Sequence, residues 1–317
     1  MIRHTLAAAL LAAGFASSAF AAAPMVKGQA PGYYRMMLGD FEVTALSDGT
    51  VALPMTKLLS NPAGGEATEK AFARAFLKDP VETSVNGYLV NTGSKLVLID
   101  TGAGSLLGPT LGKLAATLKA AGYTPDQVDE IYITHMHPDH VGGLVADGKM
   151  VFPNATIRAD QKDADFWLSQ KNLDAAPADN KGFFQGAMAS MNPYVAAGKF
   201  KSFSGNTDLV PGVRAQVSYG HTPGHSFYVV ESKGEKLMLW GDVMHAAAVQ
   251  FMSPAVTIGF DSDSKNAYEQ RTKAYADAAA QGYWVAATHL AFPGLGKLRA
   301  AEGGAYVFVP ANYRSAP

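Results

Sequence analysis

The chain has no cysteine among its 317 residues. That excludes a disulfide-built scaffold, a thiolate metal site and a cysteine nucleophile. It lacks an excess of charge of either sign: Lys and Arg number 26, Asp and Glu 27, for a formal charge of −1 at pH 7. No strong positive field would gather a polyanion, so no nucleic-acid partner is expected. Beyond residue 21 no run of eighteen apolar residues occurs, so no membrane partner is expected for that part. With 48% hydrophobic residues the chain is not poor in core-forming side chains, which excludes a disordered polymer. The 32 glycines follow no three-residue period, which excludes a collagen-like repeat. This length can bury one large core or two modest ones.

Residues 1–21 read as a signal peptide. Arg3 and His4 precede a short apolar run from Thr5 to Ala16, and Ala19-Phe20-Ala21 supplies the small-x-small pattern of a cleavage site. The run is short for a membrane span, and no cysteine follows to carry a lipid anchor. Residues 22–317 are then the mature domain, exported to a periplasm or beyond the cell. Loss of Arg3 leaves 25 basic residues against 27 acidic, a formal charge of −2.

Short β-rich runs alternate with helical ones. Residues 41–46, 87–90, 95–100, 128–134, 226–231, 236–240 and 283–288 read as strands. Residues 111–121, 160–170, 183–197 and 265–281 read as helices, the first closed by Gly122. Residues 60–69 and 172–182, with their prolines and glycines, read as loops able to wall a substrate site. No low-complexity linker divides the chain. The pattern predicts a single α/β domain in which two sheets face each other with helices outside. The runs ending at Asp100 and Asp242 are faintly alike, a weak hint of internal duplication.

Thr134-His135-Met136-His137-Pro138-Asp139-His140 concentrates three imidazoles and a carboxylate within six residues. Burying that much polarity is costly without a compensating partner, and a metal ion is one. On a strand, His135 and His137 would point the same way, and Pro138 would turn Asp139 and His140 toward a second position. Imidazole and carboxylate suit Zn²⁺ best and also accept Mn²⁺, Co²⁺ or Fe²⁺. His221 opens His221-Thr222-Pro223-Gly224-His225, while Asp242 and His289 each close a predicted strand.

These four motifs in order resemble the metallo-β-lactamase superfamily over about residues 33–310. The resemblance implies a four-layer αββα sandwich with two metal ions between the sheets. It assigns His135, His137 and His221 to one ion, Asp139, His140 and His289 to the other, and Asp242 to both. Asp100 matches an aspartate that orients a ligating imidazole, and His225 is a buried, hydrogen-bonded histidine without a ligand role. Two dications, two carboxylates and a bridging hydroxide leave a single positive charge: an electrophilic site that carries its own nucleophile. The expected reaction is attack of that hydroxide on a carbonyl or phosphoryl centre, with Asp139 and Asp242 as the catalytic carboxylates.

Segments 32–41, 47–50, 166–170 and 206–212 look like the exported methyl parathion hydrolases and their lactonase relatives (dihydrocoumarin hydrolase-like enzymes). Those relatives seat a neutral substrate in an apolar pocket, to which Trp167 and Phe184 are expected to contribute aromatic walls. This chain departs from the phosphotriesterase pattern at Leu107, in place of an aromatic, and at His245, in place of a leucine. Phe260 is bulkier than its counterpart. A narrower, more polar pocket favours a flat lactone or aryl ester, with phosphotriester hydrolysis secondary. Two alternatives stand beside this reading: an enzyme whose main activity is on methyl parathion-type triesters, and a periplasmic metal-binding protein without turnover. The family resemblance also implies a homodimer. Asp261-Ser262-Asp263-Ser264-Lys265-Asn266 begins like a calcium loop, but Asn266 stands where glycine is required, and helix capping explains it more simply.

Overall fold

Alternation along the central strands builds the layers. In Ser226–Ser232 every residue but Glu231 is buried, as are Leu237, Met238 and Leu239 of Glu235–Leu239, because these strands are covered on both faces. Phe227, Val229 and Met238 face one core; Tyr228, Val230, Leu237 and Leu239 face another. Leu96–Ile99 does the same, with Leu96 and Leu98 on one side and Val97 and Ile99 on the other. Two sheets share the middle core, and helices cover their outer faces.

The computed structural model describes residues 23–315. The expected signal peptide, residues 1–21, lies outside them. From Pro31 onward the chain clusters as one unit. Its first sheet comprises β1 (Tyr33–Leu38), β2 (Phe41–Leu53), β3 (Val81–Asn91), β4 (Leu96–Ile99), β5 (Glu130–Tyr132) and β6 (Thr156–Arg158), in that spatial order. The second comprises β7 (Thr207–Val210), β8 (Val213–Val217), β9 (Ser226–Ser232), β10 (Glu235–Leu239), β11 (Trp284–Ala286), β12 (Leu295–Ala300) and β13 (Tyr306–Pro310), again in order. Helices α1 (Gly65–Arg74), α2 (Leu114–Ala120), α3 (Gln161–Trp167), α4 (Lys181–Ala196) and α5 (Ser264–Gln281) are the longer ones. This is the expected αββα sandwich.

The two halves share one connection pattern. β3 and β4 form an antiparallel pair and β5 then lies parallel to β4; β9 and β10 form an antiparallel pair and β11 lies parallel to β10. Parallel neighbours end at the same edge of a sheet, where side chains from several strands can meet. Asp100 follows β4, Asp242 follows β10, His135 follows β5 and His289 follows β11.

Several elements differ from expectation. His135 and His137 do not lie on a strand: β5 ends at Tyr132, and Asp100 captures the Thr134 N–H (2.8 Å), drawing the chain out of the ladder. The helix predicted from residue 111 starts at Leu114, because Asp48 accepts the N–H groups of Gly112 and Leu114 at 2.9 Å each. The helix over 160–170 breaks after Trp167, where Ser169 caps a short helix, Gln170–Ala175. The stretches 60–69 and 172–182 are not wholly loops. Helix α1 starts within the first and buries Thr68 and Phe72, one turn apart. The second holds Gln170–Ala175 and the start of α4. Both are polar surface helices whose apolar stripe is too narrow to stand out in sequence.

Candidate metal centre

Five imidazoles approach the carboxylate of Asp242, itself buried. His289 and His245 place Nε2 at 3.1 Å from Oδ2; His221 and His135 follow at 3.5 and 3.6 Å. His140 Nε2 lies 3.3 Å from Oδ1. Two groups of ligand-capable atoms form around it, each with all its atoms within 4.8 Å of one another: His135, His137, His221 and Asp242, and Asp139, His140, Asp242 and His289. Asp242 belongs to both. Asp139 lies 3.5 Å from His289 Nε2 and 3.6 Å from His140 Nε2.

The outward nitrogens are tied to the frame. His140 Nδ1–H donates to Asp100 Oδ2 (2.8 Å), and His289 Nδ1–H donates to the Ser84 carbonyl (2.9 Å). His221 Nδ1–H donates to Asp261 Oδ1 (2.9 Å). His225 lies behind the centre: its Nδ1–H donates to Ser218 O and its Nε2 accepts the Asp242 N–H, both at 3.1 Å. Gly241 precedes Asp242 at φ 51°, and a Cβ there would meet His225 Nε2 at 2.7 Å. Glycine is therefore needed at that turn.

His289 Nε2 meets Asp242 Oδ2 (3.1 Å) and His221 Nε2 meets His137 Nδ1 (3.2 Å), but other inward atoms have no partner. His135 Nε2, His140 Nε2, His245 Nε2 and Asp242 Oδ1 are buried without a hydrogen bond. His245 Nε2 is close to Asp242 Oδ2 but makes no hydrogen bond to it. Unsatisfied buried polar atoms are costly, and here they converge on common points. Divalent ions fit this donor set: five imidazoles and two carboxylates in two overlapping groups.

Electrostatics agree with that fit. Burial opposes charge on every imidazole, and it holds His135 and His137 well below their ordinary range, with neighbouring imidazoles adding to the effect. Burial acts on His140 too, yet the carboxylates of Asp242, Asp139 and Asp100 push it well above. For His221, Asp242 and Asp261 overcome burial and push it up to about 9; His289 is raised in the same way by Asp242 and Asp139. Burial lowers His225 to about 3, so it stays neutral at pH 7.

Above the carboxylates lies a cavity of about 600 Å³. Val51, Leu53, Leu106, Leu107, Phe183 and Phe260 supply its apolar wall; His137, Asp139, Asp242, His245 and His289 line it too. Its lining contains no Lys or Arg. Of the residues expected to shape a substrate pocket, Leu107, His245 and Phe260 line this cavity, and Trp167 and Phe184 do not. Both are buried in the core under the first sheet, their rings 4.6 Å apart. Phe183 takes the wall position, because successive residues of a helix point about 100° apart. Trp167 instead packs its ring edge-on against His137, at 5.1 Å, and backs a ligand rather than a substrate.

Two carboxylates had escaped assignment. Asp163, in the first turn of α3, accepts from Met136 N (2.8 Å), Gly224 N (2.6 Å) and Thr222 Oγ1 (2.7 Å), clamping the loops that carry His137 and His221. Burial pushes it up to about 6 against those donors. Asp261 is the other. Neither stands in a pattern that spacing alone would reveal, since each reaches a loop distant in sequence.

A profile of the metallo-beta-lactamase superfamily matches residues 80–281. The crystal structure of AbOPH, a hydrolase in the beta lactamase superfamily, is 37% identical, with 91% of this chain and all of that one covered and a TM-score of 0.86. AidC, a dizinc quorum-quenching lactonase solved with a product, N-hexanoyl-L-homoserine, is 28% identical. The match covers 90% of this chain and 99% of AidC, with a TM-score of 0.79. An N-acyl homoserine lactonase from Bacillus cereus is 25% identical over 151 residues, 48% of this chain. The chain spans about half the length, 52%, of that relative.

Ligation requires deprotonated imidazoles, whereas in the metal-free cluster the neighbouring carboxylates raise His140 and His289 above their ordinary range and push His221 up to about 9. Zinc uptake should therefore release protons. Affinity should fall as pH is lowered from 8 to 6, by roughly tenfold per unit for each proton displaced. Chelator competition at several pH values measures this, and a pH-independent affinity would contradict it.

Proposed function

The chain belongs to the metallo-beta-lactamase superfamily, and from that premise we propose that it is a di-metal hydrolase of neutral lactones and aryl esters, with phosphotriester hydrolysis as a secondary activity. The observation that carries this reading is the cavity: an apolar wall directly above two overlapping ligand groups, with no cationic side chain on its lining. Beyond the ions themselves an anionic substrate would find no Lys or Arg to pair with its charge, whereas a neutral ring would bury its surface against Phe183, Phe260 and the leucines. The likeness to AidC, a dizinc lactonase, supports the same substrate class.

Two divalent ions bound there would lower the pKa of a coordinated water toward ~7 and polarise the substrate's carbonyl oxygen. The chain's own residues do the rest. Asp242, held by His225 and the Gly241 turn, fixes the shared corner of both ligand groups. Asp139 is less buried than Asp242 and opens on the cavity, where its carboxylate can carry a proton toward a leaving oxygen. His245, its ring stacked on His289 at 4.9 Å, presents an imidazole beside the substrate space and narrows it. Phe260, 6.0 Å from the His245 ring, closes the same side. A flat ring fits such a slot better than a tetrahedral phosphotriester.

Purified protein should hydrolyse dihydrocoumarin, an acyl-homoserine lactone or p-nitrophenyl acetate with higher kcat/KM than methyl parathion, and a chelator should abolish the activity. Absence of chelator-sensitive turnover on all four would favour a metal-binding protein without catalysis. His245→Leu should shift the ratio of phosphotriester to lactone kcat/KM upward by roughly 10-fold, the order that one pocket contact commands. An unchanged or reversed ratio would reject the role given to His245.

A further inference from the structure

We propose that Asp261 is a positioning residue for His221, and that the segment 256–263 is a strap built to hold its carboxylate in place. The proposal rests on reading the cluster as a di-metal centre and deepens it.

The segment grips the His221 loop three times. Asp261 Oδ1 accepts the His221 Nδ1–H at 2.9 Å, the Ser262 N–H donates to the His221 carbonyl at 2.8 Å, and the Asp263 N–H donates to the Gly220 carbonyl at 2.8 Å. Gly220 allows this closeness: at φ 143°, a Cβ would meet Ala267 N at 2.3 Å. The other carboxylate oxygen of Asp261 accepts from Ile258 N at 3.3 Å, so the side chain is held on both sides and is buried.

The far end of the strap is pinned just as firmly. The Val256 carbonyl receives Arg271 Nη1 at 2.8 Å and Gln250 Nε2 at 3.0 Å, both from buried side chains. Thr257–Ile258 pairs with Leu59–Ser60, and Gly259 N donates to Leu58 O at 2.9 Å. Helix capping does not account for Asp261. The N-cap of α5 is Asp263, whose carboxylate accepts from Asn266 N at 3.0 Å.

The consequence lies in the imidazole. With Nδ1–H committed to Asp261, the lone pair of the neutral His221 ring that ligation requires sits on Nε2, which faces His137 Nδ1 at 3.2 Å and Asp242 Oδ2 at 3.5 Å. The tautomer and the ring plane are set together. His221 belongs to one ligand group only, so Asp261 serves one ion and not the other.

Zinc affinity and stoichiometry of the full chain, measured by chelator competition for wild type, Asp261→Asn and Asp261→Ala, test this. Thermal melts of the metal-free proteins and visible spectra of Co²⁺-loaded samples accompany the titrations. Wild type should take up two ions. The variants should keep one with unchanged affinity and bind the other about 10–100-fold more weakly. Their Co²⁺ spectra should change and the loss should fall on one ion alone, even where the metal-free melt drops with the buried Asp261–His221 contact, and Asp261→Glu should recover part of the loss. Two ions bound with wild-type affinity and spectrum in both variants would overturn the proposal. So would an equal weakening of both ions accompanied by a lowered metal-free melt, which would mark Asp261 as merely structural. A wild type that binds two ions yet hydrolyses nothing would contradict the hydrolase reading and leave the role of Asp261 standing. One that binds fewer than two would overturn both.

Discussion

The structure is organised around the buried carboxylate of Asp242 and the imidazoles turned toward it. Five histidines place Nε2 within 3.6 Å of its oxygens, and several of the facing atoms have no hydrogen-bond partner. Such a cluster is a liability to a folded chain unless something positive occupies its centre. The rest of the sandwich can be understood as the apparatus that holds these groups against that cost.

Two features of the fold supply the restraint. Parallel pairing of β4 with β5 and of β10 with β11 brings strand ends to one edge of each sheet, so residues far apart in sequence arrive together. The outward nitrogens of the ligand histidines are then anchored to different elements: Asp100 beyond β4, the Ser84 carbonyl within β3, Asp261 ahead of α5. Asp163 adds a crosslink between two ligand-bearing loops. Fixing rings from outside leaves their inner lone pairs free, the condition under which a cation can be held and substrate chemistry done beside it. The cavity above adds an apolar wall without Lys or Arg beside that cluster.

Much of this was legible in sequence, and the reasons differ from part to part. The candidate ligands were readable because three imidazoles and a carboxylate crowd into His135 to His140 and because Asp242 and His289 close apolar segments; the place of His221 and the division into two groups follow from the family resemblance. The layers were readable because strand stretches buried on both faces, such as 237–240, are continuously apolar. Of the wall aromatics Phe260 was readable and Phe183 was not. Phe183 and Phe184 are adjacent and chemically identical, and only the rotation of α4 decides which faces the cavity. Asp261 was hidden by a more familiar pattern, an acidic run before a helix, in which Asp263 in fact does the capping. Loops 60–69 and 172–182 were misread because their helices are short, polar and stabilised by tertiary contact rather than by intrinsic propensity.

Crystals of the metal-loaded protein, measured on either side of the zinc absorption edge, test the central claim most directly. The account predicts two anomalous peaks, one among His135, His137 and His221 and one among Asp139, His140 and His289, with the Asp242 carboxylate touching both. A single peak, peaks scattered over the surface, or a fully ordered cluster that stays empty at saturating zinc would contradict it.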